Sequence, residues 1–155
     1  DVGATHIPIV AVHLKGGAFI ADETYRIGEI DLLLRNLADY RERNIPHILA
    51  GDFNSNSPIQ RIDPEKCTPR TKLAYEHNGG MIPREAMKRL FDAGYRDALA
   101  EALGQDAAGG MGSFTAEFPG QRLDYILTYG IQCACAGVYA SAGDASDHFP
   151  VYAEI

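Results

Sequence analysis

The sequence predicts a layered α/β fold, and three observations predict it. An apolar strand-like run near the start is followed by an amphipathic helix and a second short apolar strand. Helical and irregular segments fill the middle, and strand-like alternation dominates the last third. A β-α-β opening, then helices, then strands lets each helix bury one stripe against a sheet. The 155 residues are enough for one domain with an ordinary core.

Residues 7–14 (IPIVAVHL) are almost continuously apolar and β-branched, the pattern of a buried strand. Pro8 stands near its start, where a missing N–H does least harm. Gly16-Gly17 ends the run. Asp22 suits an N-cap, with Glu23 beside the positive end of the helix dipole. Ile27, Ile30, Leu34 and Leu37 then recur at helical spacing, predicting a helix of about 20 residues that ends before Asn44-Ile45-Pro46. Residues 47–51 (HILAG) read as a short strand leading directly into Asp52-Phe53-Asn54. Residues 55–83 are polar and rich in Pro, Arg, Asn and Gly, too long for a plain connector, and are expected to form a functional or partly ordered loop. A helix is expected over 84–93, stopped by Gly94. Short helical or irregular structure follows to 103, then a glycine-rich stretch to 112. Phe114-Thr115, 122–128 (RLDYILT), 131–140 and 150–155 are the remaining strand candidates.

Composition narrows the function classes. Hydrophobic residues make up 46% and charged ones 23%, which fits a folded globular chain and not a disordered one. A net charge of −7 repels phosphate backbones at long range, so charge alone gives no general affinity for nucleic acid. A bound cation with a few local Arg or Lys side chains can reverse that sign within a site. Cys133 and Cys135 share one face of a strand-like run, a poor geometry for a mutual disulfide. With Cys67 they read as small core residues, and they favour a reducing, cytoplasmic compartment. No apolar run approaches the roughly 18 residues that span a bilayer, and no signal peptide is visible. The first residue is Asp1 rather than Met, which suggests a processed or truncated product.

Three segments place polar residues where apolar ones should continue. In Gly51-Asp52-Phe53-Asn54, the Asp and Asn alternate onto one side of the chain and can hold a water and a phosphoryl oxygen; an Asx turn ending the strand explains them equally. Asp124 interrupts the apolar run RLDYIL and needs a partner if buried, whether in a structural salt bridge to a nearby Arg or in a working pair. Asp147-His148 stands in a polar loop before the last strand, where an Asp can bind a hard cation and a His can move a proton near neutral pH. An Asp-His pair in a loop is also common by chance.

Taken jointly, VHL at 12–14, AGDFNS at 50–55, RLDYIL at 122–127 and SDHFPV at 146–151 resemble the endonuclease/exonuclease/phosphatase family, in order and spacing, over nearly the whole chain. The resemblance implies the layered α/β sandwich of that family, here its C-terminal half, with a mixed, mostly antiparallel sheet and helices on one face. It implies a metal-dependent phosphoesterase, nuclease or phosphatase, in which water attacks phosphorus in line. Asp52 would hold the attacking water or the metal, and Asn54 would bind phosphate beside it. His148 would stand on the attacking side, oriented by Asp124, and His13 would contact the phosphate. Asp52, Asn54 and Asp147 would form the metal set for Mg2+ or Mn2+. His6, His47 and His77 match none of these segments and read as structural or surface residues. Arg61, Arg70 and Lys72 in the long loop fit either substrate phosphates or a solvated face.

The family's first half normally supplies an early Asn and a metal-binding Glu on N-terminal strands, and this sequence has neither. Glu23 and Glu29 fall on an exposed-looking helix start and are no substitutes. The expectation is therefore an incomplete enzyme with weak metal binding and little activity alone, to be completed by a missing N-terminal half or a second chain. A non-catalytic binding module that keeps the fold is the alternative, although such a module has no need for a paired Asp124 and His148.

Overall fold

The computed structural model describes residues 6–155, so Asp1 lies outside the described residues. In chain order the elements are β1 (Ile9–His13), α1 (Ile20–Asn36), α2 (Ala38–Glu42), β2 (His47–Asp52), a 3-10 turn at Pro64–Lys66 and α3 (Pro69–His77). There follow α4 (Glu85–Asp92), β3 (Arg96–Asp97), α5 (Ala98–Leu103), α6 (Gln105–Gly109), β4 (Asp124–Tyr129), β5 (Cys135–Val138), a 3-10 turn at Ala140–Ala145 and β6 (Val151–Glu154).

A four-stranded mixed sheet in the order β1-β2-β4-β3 organises the molecule, and β5 and β6 form a separate antiparallel pair. β1 runs parallel to β2, with His13 opposite Asp52, and β2 runs antiparallel to β4, with Asp52 opposite Asp124. Alternate strand residues therefore serve different layers. Val12, Leu49, Tyr125 and Leu127 pack against Ile30 and Leu37 and against Ala86, Met87 and Leu90 of α4. On the reverse side, α5, α6 and the β5–β6 pair gather around Ile126 in a second, smaller cluster. His13, Asp52 and Asp124 occupy the strand positions that point away from the α1–α4 layer.

Several local expectations are revised. The long helix breaks at Leu37, and its start is Phe19, whose N–H donates to the Asp22 carboxylate at 3.2 Å; Asp22 thus closes the first turn from its third position instead of capping it. Glu23 is not exposed. It is buried against Arg26, and it accepts from the Ser55 hydroxyl and from the Ala86 N–H that opens α4. The loop at 55–83 contains α3, where Thr68 accepts from the Thr71 N–H and Pro69 takes the first helical position. β1 is buried on one side only, with Ile9 69% exposed, because it is the sheet's edge strand and no described element covers its reverse side. Cys67 and Cys133 are half-buried and Cys135 is exposed, since it opens β5 at the surface, so the three do not form core positions. No helix among the described residues is long and apolar enough to cross a membrane.

Gly51 sets how closely β1 can approach the site. Its φ of 142° favours glycine, and a Cβ there would stand 2.0 Å from the carbonyl oxygen of Val12, its strand partner. Gly51→Ala is expected to destabilise the fold by at least about 1–3 kcal/mol in urea denaturation, because backbone and not a movable side chain meets the new methyl. An unchanged midpoint would refute that close approach.

Candidate active site

The site is built at the strand ends where β1, β2 and β4 meet in register. Asn54 follows β2 in the left-handed region at φ 49°, a conformation Asn tolerates better than other residues with a side chain. That turn folds its side chain back, so that Nδ2 donates to Asp52 Oδ2 at 2.8 Å and to the Leu14 carbonyl at 3.0 Å. The Asn54 N–H donates to Asp52 Oδ1 at 2.8 Å. An Asx-type turn and a paired carboxylate and carboxamide are therefore the same structure here. His13 stands near them with Nε2 3.8 Å from Asp52 Oδ2, beyond hydrogen-bond reach and with a highly exposed ring.

Asp124 opens β4 with its carboxylate half-buried. Its Oδ2 lies 2.8 Å from His148 Nδ1 and accepts from the Ser113 hydroxyl at 2.6 Å. Ser113 is fully buried, and its Oγ also accepts from the N–H groups of Leu123 and Asp124. Its backbone carbonyl accepts from the Phe149 N–H at 2.8 Å, and the Phe114 ring lies 4.7 Å from the His148 ring. Ser113 thus ties the start of β4 to the loop bearing His148. Sequence reading overlooked it because a lone Ser in a glycine-rich stretch carries no distinguishing pattern. Ser113→Ala is expected to lower stability by about 1–3 kcal/mol, since the Asp124 carboxylate loses a donor while the N–H groups of Leu123 and Asp124 lose their acceptor. Thermal or urea denaturation measures it, and a loss below 0.5 kcal/mol, on the order of a surface substitution, would show those bonds to be dispensable.

Asp147, next in sequence to His148, points elsewhere. Its side chain is exposed and, among the described residues, meets only Ser146 Oγ at 3.4 Å, while its carbonyl accepts from the Ala116 N–H. Asp52, Asn54, Asp124 and His148 are brought together, His13 stands at their border, and Asp147 does not join them. Burial pushes the Asp52 carboxyl above its ordinary pKa, and the charge of Asp124 adds to the rise. The Asn54 N–H, His148 and His13 act in the opposite direction.

Among the described residues, no three His, Cys, Asp or Glu side chains converge as a ready metal cage. The donor chemistry nevertheless suits a hard cation. A half-buried carboxylate facing a second carboxylate gains from a positive neighbour, and Asp52 keeps spare lone pairs beside the Asn54 carboxamide oxygen. One or two protein oxygens, with waters and phosphate completing the shell, is a common arrangement for Mg2+.

The remaining histidines have other duties. His47 is fully buried, with Nδ1 2.7 Å from the Ile45 carbonyl and Nε2 2.7 Å from the Tyr95 hydroxyl. His77 meets Phe19 edge-on, and His6 is exposed. Of the loop cations, Arg61 is tied to the Asp106 carbonyl and Lys72 to Glu65. Arg70 is exposed near the start of α3.

Residues 19–148 match the profile of the endonuclease/exonuclease/phosphatase family. Among solved structures, the chain is similar to an AP endonuclease from Archaeoglobus fulgidus, at 18% identity and a TM-score of 0.66, covering 94% of this chain and 60% of that one. It is similar to a 3'-5' exonuclease from Neisseria meningitidis, at 21% identity and a TM-score of 0.67 with the same coverages, 94% and 60%. A conserved protein of unknown function from Enterococcus faecalis V583 aligns at 22% identity and a TM-score of 0.65, covering 99% of this chain and 51% of its own. At these identities the likeness establishes a shared fold, and the chain spans about half to three-fifths of the length of these structures. No curated protein sequence matches significantly.

Proposed function

Because this chain belongs to the endonuclease/exonuclease/phosphatase family, we propose that it carries a metal-dependent phosphoesterase site that hydrolyses a phosphodiester or phosphomonoester. Members of the family are hydrolases of phosphoesters and generally use divalent metal ions. The observation that carries the reading is the His148–Asp124 contact of 2.8 Å, set beside Asp52 at the strand ends. Related structures include a 3' phosphatase from Neisseria bound to product DNA hairpin, which agrees with phosphoester chemistry on this fold.

In this reading Asp124 accepts from His148 Nδ1–H, which fixes the ring and leaves Nε2 free to meet the phosphoryl group or the attacking water. Asp52 holds that water, and His148 Nε2 takes its proton. The new O–P bond forms as the ester P–O bond breaks, and the leaving alcohol takes up a proton from solvent. His13 contacts phosphoryl oxygens, while Asn54, whose two amide hydrogens go to Leu14 and Asp52, holds the Asp52 carboxylate in place; positioning and charge neutralisation dominate phosphoryl transfer. A divalent cation held by Asp52 and the Asn54 carboxamide oxygen would neutralise phosphoryl oxygens when bound; Asp147, turned away from both, is not among its ligands.

The test is hydrolysis of an aryl phosphodiester and an aryl phosphomonoester, with Mg2+ or with chelator, by the protein as encoded and by this chain in parallel. Asp52→Ala is expected to lower any metal-dependent turnover by at least about a hundredfold. Equal turnover in the variant would sink the assignment.

A further inference from the structure

A cleft of about 370 Å³ opens beside Asn54, bordered by residues 15–18, the start of α3, Phe114 and Gln121. Its charge runs against that of the chain. The net charge is −7, yet the charged side chains that line the cleft are Lys15, Arg26 and Arg70, without an acidic one among the described residues. Arg26 is already committed, because Glu23 neutralises it and its Nη1 donates to the carbonyls of Lys15 and Gly17, fixing that wall. Lys15 is partly offset by Asp22, 3.7 Å away. Arg70 differs, since its guanidinium has no hydrogen bond or ion pair within the described protein.

A second feature points to a ligand. Asn56 is only 3% exposed and lines the same cleft. Its carboxamide oxygen accepts from Gln121 Nε2 at 3.4 Å, but its own Nδ2 donates to no protein atom. That donor is not among the buried unpaired atoms, so it opens on the cleft, where a ligand oxygen can accept from it, and a free guanidinium facing the same space completes a recognition set for an anion. The volume lies in the range of small-molecule pockets, and the acidic chain disfavours an extended phosphate backbone. Phe114, which touches the His148 ring, joins the cleft to the proposed reaction centre.

Resting on the phosphoesterase reading, we infer that this cleft is a subsite for the second anionic group of a compact substrate, a sugar- or nucleoside-sized molecule bearing two phosphates. One phosphate is presented to Asp52 and His148, and the other is bound by Arg70, with Asn56 and Lys15 contributing. The experiment is calorimetric binding to His148→Ala protein of two probe pairs, fructose 1,6-bisphosphate with fructose 6-phosphate, and adenosine 3',5'-bisphosphate with adenosine 5'-monophosphate. At least one bisphosphate is expected to bind about tenfold more tightly than its monophosphate, and adding Arg70→Ala is expected to remove that margin, with Arg70→Lys restoring part of it. The two pairs distinguish a sugar from a nucleoside substrate. A margin that is absent in both pairs, or that survives Arg70→Ala, overturns the inference. So does a short DNA duplex that binds more tightly than either bisphosphate through Arg70. Should the Arg70-dependent margin appear while the wild type hydrolyses no phosphate ester, the subsite stands and the phosphoesterase reading falls.

Discussion

His148→Ala is expected to lower turnover of an aryl phosphodiester by about 10²–10⁴-fold while changing KM far less, because the imidazole is assigned to proton movement and not to holding substrate. The contact that fixes the ring makes a second variant informative. Asp124→Asn keeps the side-chain shape but removes the charge 2.8 Å from His148 Nδ1, and its amide can present a donor where an acceptor is needed. It is expected to lose at least about a hundredfold in turnover with little change in fold, measured by steady-state kinetics beside a denaturation curve. Full activity in Asp124→Asn would mean that the pair is only structural. Full activity in His148→Ala would remove the histidine from the mechanism altogether.

The largest stability effect lies outside the site. Asp97→Ala is expected to cost about 3–5 kcal/mol, a large share of the roughly 5–15 kcal/mol that holds an ordinary domain together. Arg122 is 1% exposed and donates from both terminal nitrogens to the two oxygens of Asp97. Its guanidinium also lies over the Tyr125 ring, 4.4 Å from the centroid. Removing Asp97 strands a positive charge in the interior and deprives the Leu99 N–H at the start of α5 of its acceptor. Urea denaturation is the measurement. The paired replacement Asp97→Leu with Arg122→Met should recover most of the loss, since removing both charges removes the uncompensated one. A cost below 1 kcal/mol for Asp97→Ala, roughly what an exposed pair gives, would show that water reaches Arg122.

Much of this site could be read from the sequence because polar residues at strand ends break an apolar pattern. Asp52, Asn54 and Asp124 are visible for that reason, and β2 and β4 place them together. The sequence left open whether Asp124 paired with an arginine or with a catalytic partner. Its neighbour Arg122 instead reaches Asp97, 25 residues earlier, which leaves Asp124 to His148. Other features were hidden by the way side chains point. Asp147 and His148 are adjacent in sequence, but Asp147 lies in a bend with its side chain exposed, and only His148 turns inward. Glu23 looked like a solvated helix-start residue, and nothing local announced that Arg26 and the Ala86 N–H would draw it into the interior. Ser113 acts through contacts that no spacing rule encodes. α3 was legible and missed: Thr68-Pro69 is a helix-start pair hidden in a stretch whose composition suggested a loop.

The strand register at the site also makes the chemistry a test of assembly. His13, Asp52 and Asp124 stand opposite one another across three strands. A slip of one residue between two of these strands would send a reacting group to the helix side while leaving a compact, hydrogen-bonded sheet. Refolded material with native-like circular dichroism but no turnover would then report mispaired strands, and specific activity would serve as a proofreading signal for correct pairing.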